Sequence, residues 1–158
     1  MKEMTEEQAL CRLAALCSRA EYCTADMVKK MEQWGIDSTT IGHITAYLTH
    51  EGYVDDARFC RCFIEEKIKY NGWGRRKIEQ ALGSKRVSRN VYTPILDEVD
   101  EEQYIDVLRP LLRQKWRSIN GRNDYERSMK LIRYAQGRGF DYDIIKKSID
   151  GLTDLPDD

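Results

Sequence analysis

Two adjacent carboxylates, Asp55 and Asp56, are the residues of this chain that could in principle hold a divalent cation or exchange protons. Neighbouring positions on a helix diverge by about 100°, and Asp55 stands where a helix cap is needed, so the pair does not converge on one ligand. Asp56 is accordingly expected to matter little to stability. The cysteines Cys11, Cys17, Cys23, Cys60 and Cys62 form no C-x-x-C, and His43 and His50 on one helix cannot complete a zinc set with them. They read as reduced thiols filling small core positions. With no G-x-S-x-G, P-loop or H-E-x-x-H, no catalytic residue, metal or cofactor is expected.

The cations are the better lead, and their chemistry is the binding of polyanions. Net charge is only −1, yet residues 57–96 hold ten basic and three acidic side chains, and residues 107–140 hold nine and two. Acidic stretches flank both blocks. Because salt confines charge effects to about 8–10 Å, the local field rather than the sum steers a polyanion. The first block contains Arg58, Arg61, Arg75, Arg76, Lys77, Lys85, Arg86 and Arg89. Arg75 and Arg76 open a helix, where cations oppose the macrodipole, so helix stability is not the expected reason for them. The second block contains Arg113, Lys115, Arg117, Arg122, Arg127, Lys130, Arg133 and Arg138. Arg127, Lys130 and Arg133 recur at helical spacing and are expected, like Arg75, Arg76 and Lys77, on a solvent face. Trp73, Trp116 and Tyr125 are candidates for stacking on bases, with Trp116 better suited to a core.

Helices must carry these residues, since apolar positions recur at three and four spacing and strands find no support. Thr5 to Gln8 is a capping box that opens a first helix ending near Ala20, and Thr24 is the expected cap of a second that Trp34 and Gly35 close. Ile36 and Asp37, with Ile41 four positions into the helix, form a hydrophobic staple and cap. The same device recurs at Val87, Ser88 and Tyr92, and at Phe140, Asp141 and Ile145. A related one joins Val54 and Asp55 to Phe59, and Val99 and Asp100 to Tyr104. From Phe59 the inward stripe is expected to run through Cys62, Phe63, Ile68 and Tyr70, and in the preceding helix through Ile44, Tyr47 and Leu48. Pro110 should kink or restart its helix. The fold class expected is all-α, with three tandem three-helix repeats at 1–53, 54–98 and 99–158 stacked into an elongated, curved helical array. No apolar run reaches membrane length and the amino terminus lacks a signal-like core, so a cytoplasmic protein without a membrane partner is expected.

The junction Gly52, Tyr53, Val54, Asp55, Asp56, Ala57, Arg58, Phe59, the turn Gly72, Trp73, Gly74 running to Ile78, and the triplet Arg138, Gly139, Phe140 together resemble the bacterial RecX family. The resemblance implies tandem three-helix repeats and marks Gly52, Tyr53, Asp55, Phe59, Gly72, Trp73, Gly74 and Phe140 as structural motif positions. One departure is Arg86, which precedes Val87 where the family tends to place glycine; a different turn or an asparagine-like cap geometry is required there. By the same resemblance the protein is a non-enzymatic regulator, a monomer that binds RecA recombinase filaments. It would inhibit recombinase, ATPase and coprotease activity in DNA repair and the SOS response. The basic residues would contact the filament or bind single- or double-stranded DNA weakly and non-specifically. The charge pattern alone also admits a free-standing DNA-binding protein of helix-turn-helix type, or a protein-only adaptor that leaves the basic strips unused.

Overall fold

The computed structural model describes residues 4–150, and among these every regular element is a helix. In chain order these are α1 (Glu6–Cys17), α2 (Thr24–Gln33), α3 (Ser38–His50), α4 (Asp56–Lys69), α5 (Arg75–Ser84), α6 (Arg89–Asp97), α7 (Glu101–Ser118), α8 (Asp124–Gly137) and α9 (Tyr142–Asp150). They form two compact bodies. One holds residues 4–63 together with Leu82–Ile95, and the other holds Ile64–Ala81 with residues 96–150. No helix of the described residues is long and apolar enough to cross a membrane.

In the first body α1 and α2 pack on α3, burying Ala9, Leu13, Met27, Met31, Ile44 and Leu48 in one cluster that Val54 joins. The second body contains a mutually packed trio, α7, α8 and α9. Its buried side chains include Leu108, Leu112, Trp116, Leu131, Phe140 and Ile145, and the Phe140 ring meets Tyr104 edge-on at 6.4 Å.

Local signals set the helix boundaries. Thr5 and Gln8 close the capping box that the sequence predicts, and Asp100 and Gln103 close another. Four helices end on one hydrogen-bond pattern, in which the amide after a left-handed residue returns to a carbonyl five positions back: Ile36 to Met31, Tyr53 to Leu48, Val87 to Leu82 and Phe140 to Ala135. This is the Schellman arrangement. The left-handed residue is glycine at positions 35, 52 and 139, but at position 86 it is arginine, with φ of 60°. Of the two expected solutions Arg86 takes the asparagine-like one, adopting the left-handed cap itself, at a cost of about 1–2 kcal/mol for a residue with a Cβ.

Several expectations are corrected. The inward stripe of α4 is Phe59, Cys60, Ile64 and Ile68, while Cys62 faces solvent and Tyr70, at the end of the helix, is 75% exposed; Tyr47 of α3 is exposed as well. At about 100° per residue Cys62 falls roughly 160° around the helix from Cys60, and Tyr47 roughly 100° from Leu48, so both leave the buried face, while Tyr70 lies beyond the last residue of α4. Cys11 is also exposed, so only Cys23 and Cys60 are fully buried thiols, and burial pushes both up to about 11. The first helix ends at Cys17 rather than near Ala20. Thr24 is not the cap of α2; Cys23 holds that position, its amide accepted by the Asp26 carboxylate at 3.2 Å. Of the two outcomes expected at Pro110, a kink or a restart, the restart does not occur: α7 is one helix from Glu101 to Ser118. Its buried neighbours Leu108 and Leu112 hold the helix in the core, where tertiary packing outweighs one lost backbone bond.

Candidate functional site

The start of α5 is assembled from two distant turns of the second body. Its first amides donate away from their own helix, from Gly74 to the Arg138 carbonyl at 2.9 Å and from Arg76 to the Gly139 carbonyl at 3.0 Å. Two orphan donors of a helix start are thereby satisfied. Such an approach requires glycine on both sides: a Cβ on Gly74 would lie 2.4 Å from the Gly139 carbonyl carbon, and one on Gly139 would lie 2.5 Å from Lys77. The Arg138 guanidinium completes the clasp, donating to the carbonyls of Gly72 at 3.0 Å and Asn71 at 2.6 Å, just past the end of α4 where a cation favours the helix dipole. Arg76, Lys77, Gln80 and Gln136 then border a recess of about 250 Å³ beside this joint.

The cations predicted to bind a partner fall into two groups once their neighbours are seen. Arg75 is ion-paired with Asp97 at 2.7 Å and with Glu79 at 3.4 Å, so it does serve the fold, and its place at a helix start is answered by carboxylates. Arg127 is also internal: its guanidinium lies 3.9 Å over the Trp116 ring and donates to the Trp116 carbonyl at 2.8 Å. Lys130 ties Glu126 and the Asn120 carbonyl, and Lys115 lies over Tyr134 at 5.1 Å. Neither basic triplet is therefore a simple solvent face. Lys67 and Lys77 both stand over the Trp73 indole, at 5.1 and 4.9 Å, so that ring already has cationic partners. Trp116 is buried, as its apolar spacing predicts. Tyr125 is 75% exposed and borders an open groove with Met129, Lys130 and Arg133.

In the first body Arg58 pairs with Glu21 at 2.7 Å and donates to the carbonyls of Gly52 and Tyr53 at 3.1 and 3.2 Å. Asp55 caps α4 by accepting from the Arg58 amide at 3.1 Å. Asp56, expected to be dispensable, accepts from both the amide and the hydroxyl of Thr24, at 2.7 and 2.9 Å, and so caps the start of α2 from another helix. Lys85 pairs with Asp26 at 3.6 Å and covers the Phe59 ring at 5.6 Å.

What remains is a smaller set. Arg61, Arg86 and Arg89 in the first body, and Arg76, Arg113, Arg117, Arg122 and Arg133 in the second, are exposed, and none has a hydrogen-bonded or ion-paired side-chain partner among the described residues. Arg113 and Arg117 lie one turn apart on α7 and share a face. Sequence reasoning missed the structural duties of Arg58 and Asp56. The only signal for them was their crowding with Gly52 and Phe59 into one motif.

Known proteins fit this architecture. The family described as RecX, second three-helix domain, matches residues 55–92, and RecX, third three-helix domain, matches residues 101–149. The chain is 27% identical over 135 residues to the regulatory protein RecX of Acinetobacter baylyi, covering 85% of this chain and 82% of that one. It is 29% identical over 126 residues to the regulatory protein RecX of Clostridium tetani, covering 78% of this chain and 57% of the relative's length. Among solved structures, a crystal structure of regulatory protein RecX superposes with a TM-score of 0.84 at 18% identity, covering 92% of this chain and 73% of that one. RecX from Lactobacillus salivarius superposes with a TM-score of 0.80 at 17% identity, covering 93% of this chain and 96% of that one. These two share the all-α helical repeat fold.

Proposed function

The chain belongs to the RecX family, and on that premise we propose that it is a non-enzymatic regulator of the RecA recombinase, one that binds RecA nucleoprotein filaments and restrains their activity. In this reading it works as a cytoplasmic monomer built of three three-helix units, at 1–53, 54–98 and 99–158. The observation that supports it best is the division of the cations, since arginines that the fold does not use are kept on exposed faces of α7, α8 and the start of α5. Ordinary solvation needs no such concentration of one sign. A polyanion does, because each neutralised phosphate releases counterions and strengthens binding.

The test uses variants that spare the internal pairs. Reversal of Arg113, Arg117 and Arg133 to glutamate is expected to leave the helical content unchanged and to abolish the inhibition of RecA-catalysed ATP hydrolysis on single-stranded DNA. Direct DNA binding by the wild type should weaken with salt at a slope of about −0.7 per phosphate contacted, and the reversals should flatten it. ATP hydrolysis left unchanged by excess wild-type protein refutes the regulator reading. Sequence-specific duplex binding at a fixed half-site spacing would instead identify a helix-turn-helix protein.

A further inference from the structure

Opposite in character to the basic faces is a recess of about 490 Å³ in the second body, walled by Arg75, Leu96, Asp97, Val99, Tyr104 and Phe140 and rimmed by Glu101, Asp141 and Asp143. Its floor is apolar and its rim acidic. The internal cations account for only part of that charge: Arg75 answers Asp97 and Lys147 answers Glu101 at 2.7 Å, while no ion pair among the described residues reaches Asp141 or Asp143. Both stand at the start of α9, where negative charge favours the dipole, but helix stability explains neither the volume nor the floor.

A second feature points to a ligand. Tyr104 is only 6% exposed and lines the recess, yet its hydroxyl has no hydrogen-bond partner among the described residues. An unmet buried hydroxyl is costly, and native proteins seldom keep one without a reason. Burial pushes this phenol up to about 12, with Arg75 opposing the shift and Asp141 adding to it, so it stays a neutral group able both to donate and to accept. The volume is that of a small-ligand cleft. Like charge excludes a nucleic acid from it.

We infer that this recess docks a partner protein through an arginine or lysine flanked by apolar residues, its cation held by Asp141 and Asp143, its stem and neighbours on the Phe140 and Leu96 floor, and its polar groups met by the Tyr104 hydroxyl. Carboxylates over an apolar floor suit an amphipathic cation, whose stem buries while its head stays paired. The site is distinct from the exposed arginines and stands independently of any role toward RecA.

The probe is acetyl-Leu-Arg-Leu-amide, titrated into the full chain and followed by amide and Tyr104 ring chemical shifts. Its neutral isostere, with citrulline in place of arginine, is the control. Saturable shifts confined to residues 96–104 and 139–144 are expected, with the citrulline peptide about tenfold weaker, the scale of one well-placed charge pair. The variant Asp141→Asn with Asp143→Asn should lose the same factor. Tyr104→Phe separates binding from structure: removing an unmet hydroxyl should leave the melting temperature unchanged or raised, while peptide affinity falls severalfold. Equal binding of both peptides, shifts centred elsewhere, or no saturable shift at millimolar peptide overturns the proposal. So does a Tyr104→Phe protein that is destabilised and binds as well as the wild type, because the hydroxyl then serves the fold.

Discussion

The junction at Gly52 and the junction at Gly74 look alike in sequence, each a glycine turn followed by a charged helix start, but they are fastened by opposite means. At the first, side chains do the work: Arg58 gathers Glu21 and two carbonyls, and Asp56 caps another helix through Thr24. A Cβ on Gly52 would meet nothing within 4 Å, and the glycine is there for its φ of +78°. At the second, backbone meets backbone at the helix start itself, with the Arg138 guanidinium added on the Gly72 and Asn71 carbonyls, and Gly74 is there for space. A motif glycine can thus mark either a dihedral angle or a distance of approach. Substitutions tell the two apart.

The largest effects should be shared by both junctions. Phe59→Ala and Phe140→Ala each remove a ring that is nearly fully buried, and each should cost about 3–5 kcal/mol in denaturant unfolding. A much smaller loss at one of them would show that its junction rests on polar fasteners instead. Next comes the contrast between the glycines. Gly74→Ala forces a Cβ onto the Gly139 backbone and should cost about 3 kcal/mol, whereas Gly52→Ala should cost only about 1–2 kcal/mol for the left-handed φ. Equal losses would erase the distinction between angle and space.

Below these lies Asp56→Ala, which leaves the Thr24 amide without its cap and should cost about 1–2 kcal/mol; unchanged stability would make the side-chain fastening incidental. Arg86→Gly should work in the other direction. It relieves the left-handed arginine and should stabilise by about 1 kcal/mol, making the α5 end resemble the glycine ends at 35, 52 and 139. The smallest effect is at Asp37, whose carboxyl is held below its usual range chiefly by the Thr40 amide and then by the Thr40 hydroxyl. A depressed carboxylate stabilises fully above its unfolded value and less as pH falls through that value toward the folded one. Asp37→Asn should therefore narrow the stability gap between neutral and acid pH, read from paired unfolding curves.

Much of the fold was legible from residue types because caps and staples are short-range. Thr5 with Gln8, Asp37 with Thr40, Asn123 with Glu126 and Asp100 with Gln103 all close within three positions, so sequence order alone brings the partners together. The candidate site was legible only as composition. Charge counts located the basic blocks but assigned Arg75, Arg127 and Arg138 to a partner, when each is engaged by the protein itself.

Residue types and their order are enough for an all-α helical repeat, for most of its helix starts and stops, and for the family to which the resemblance pointed, because these depend on periodicity and on contacts one turn long. Tertiary structure decided which cations are free, what Asp56 does, and why Gly74 and Gly139 must both be glycine. The Asp56 bond to Thr24 spans 32 positions, the Arg58 bond to Glu21 spans 37, and the Arg138 bond to Gly72 spans 66. Whether a charge meets a carbonyl, a carboxylate or water at such separations depends on how helices pack, and no local spacing encodes that.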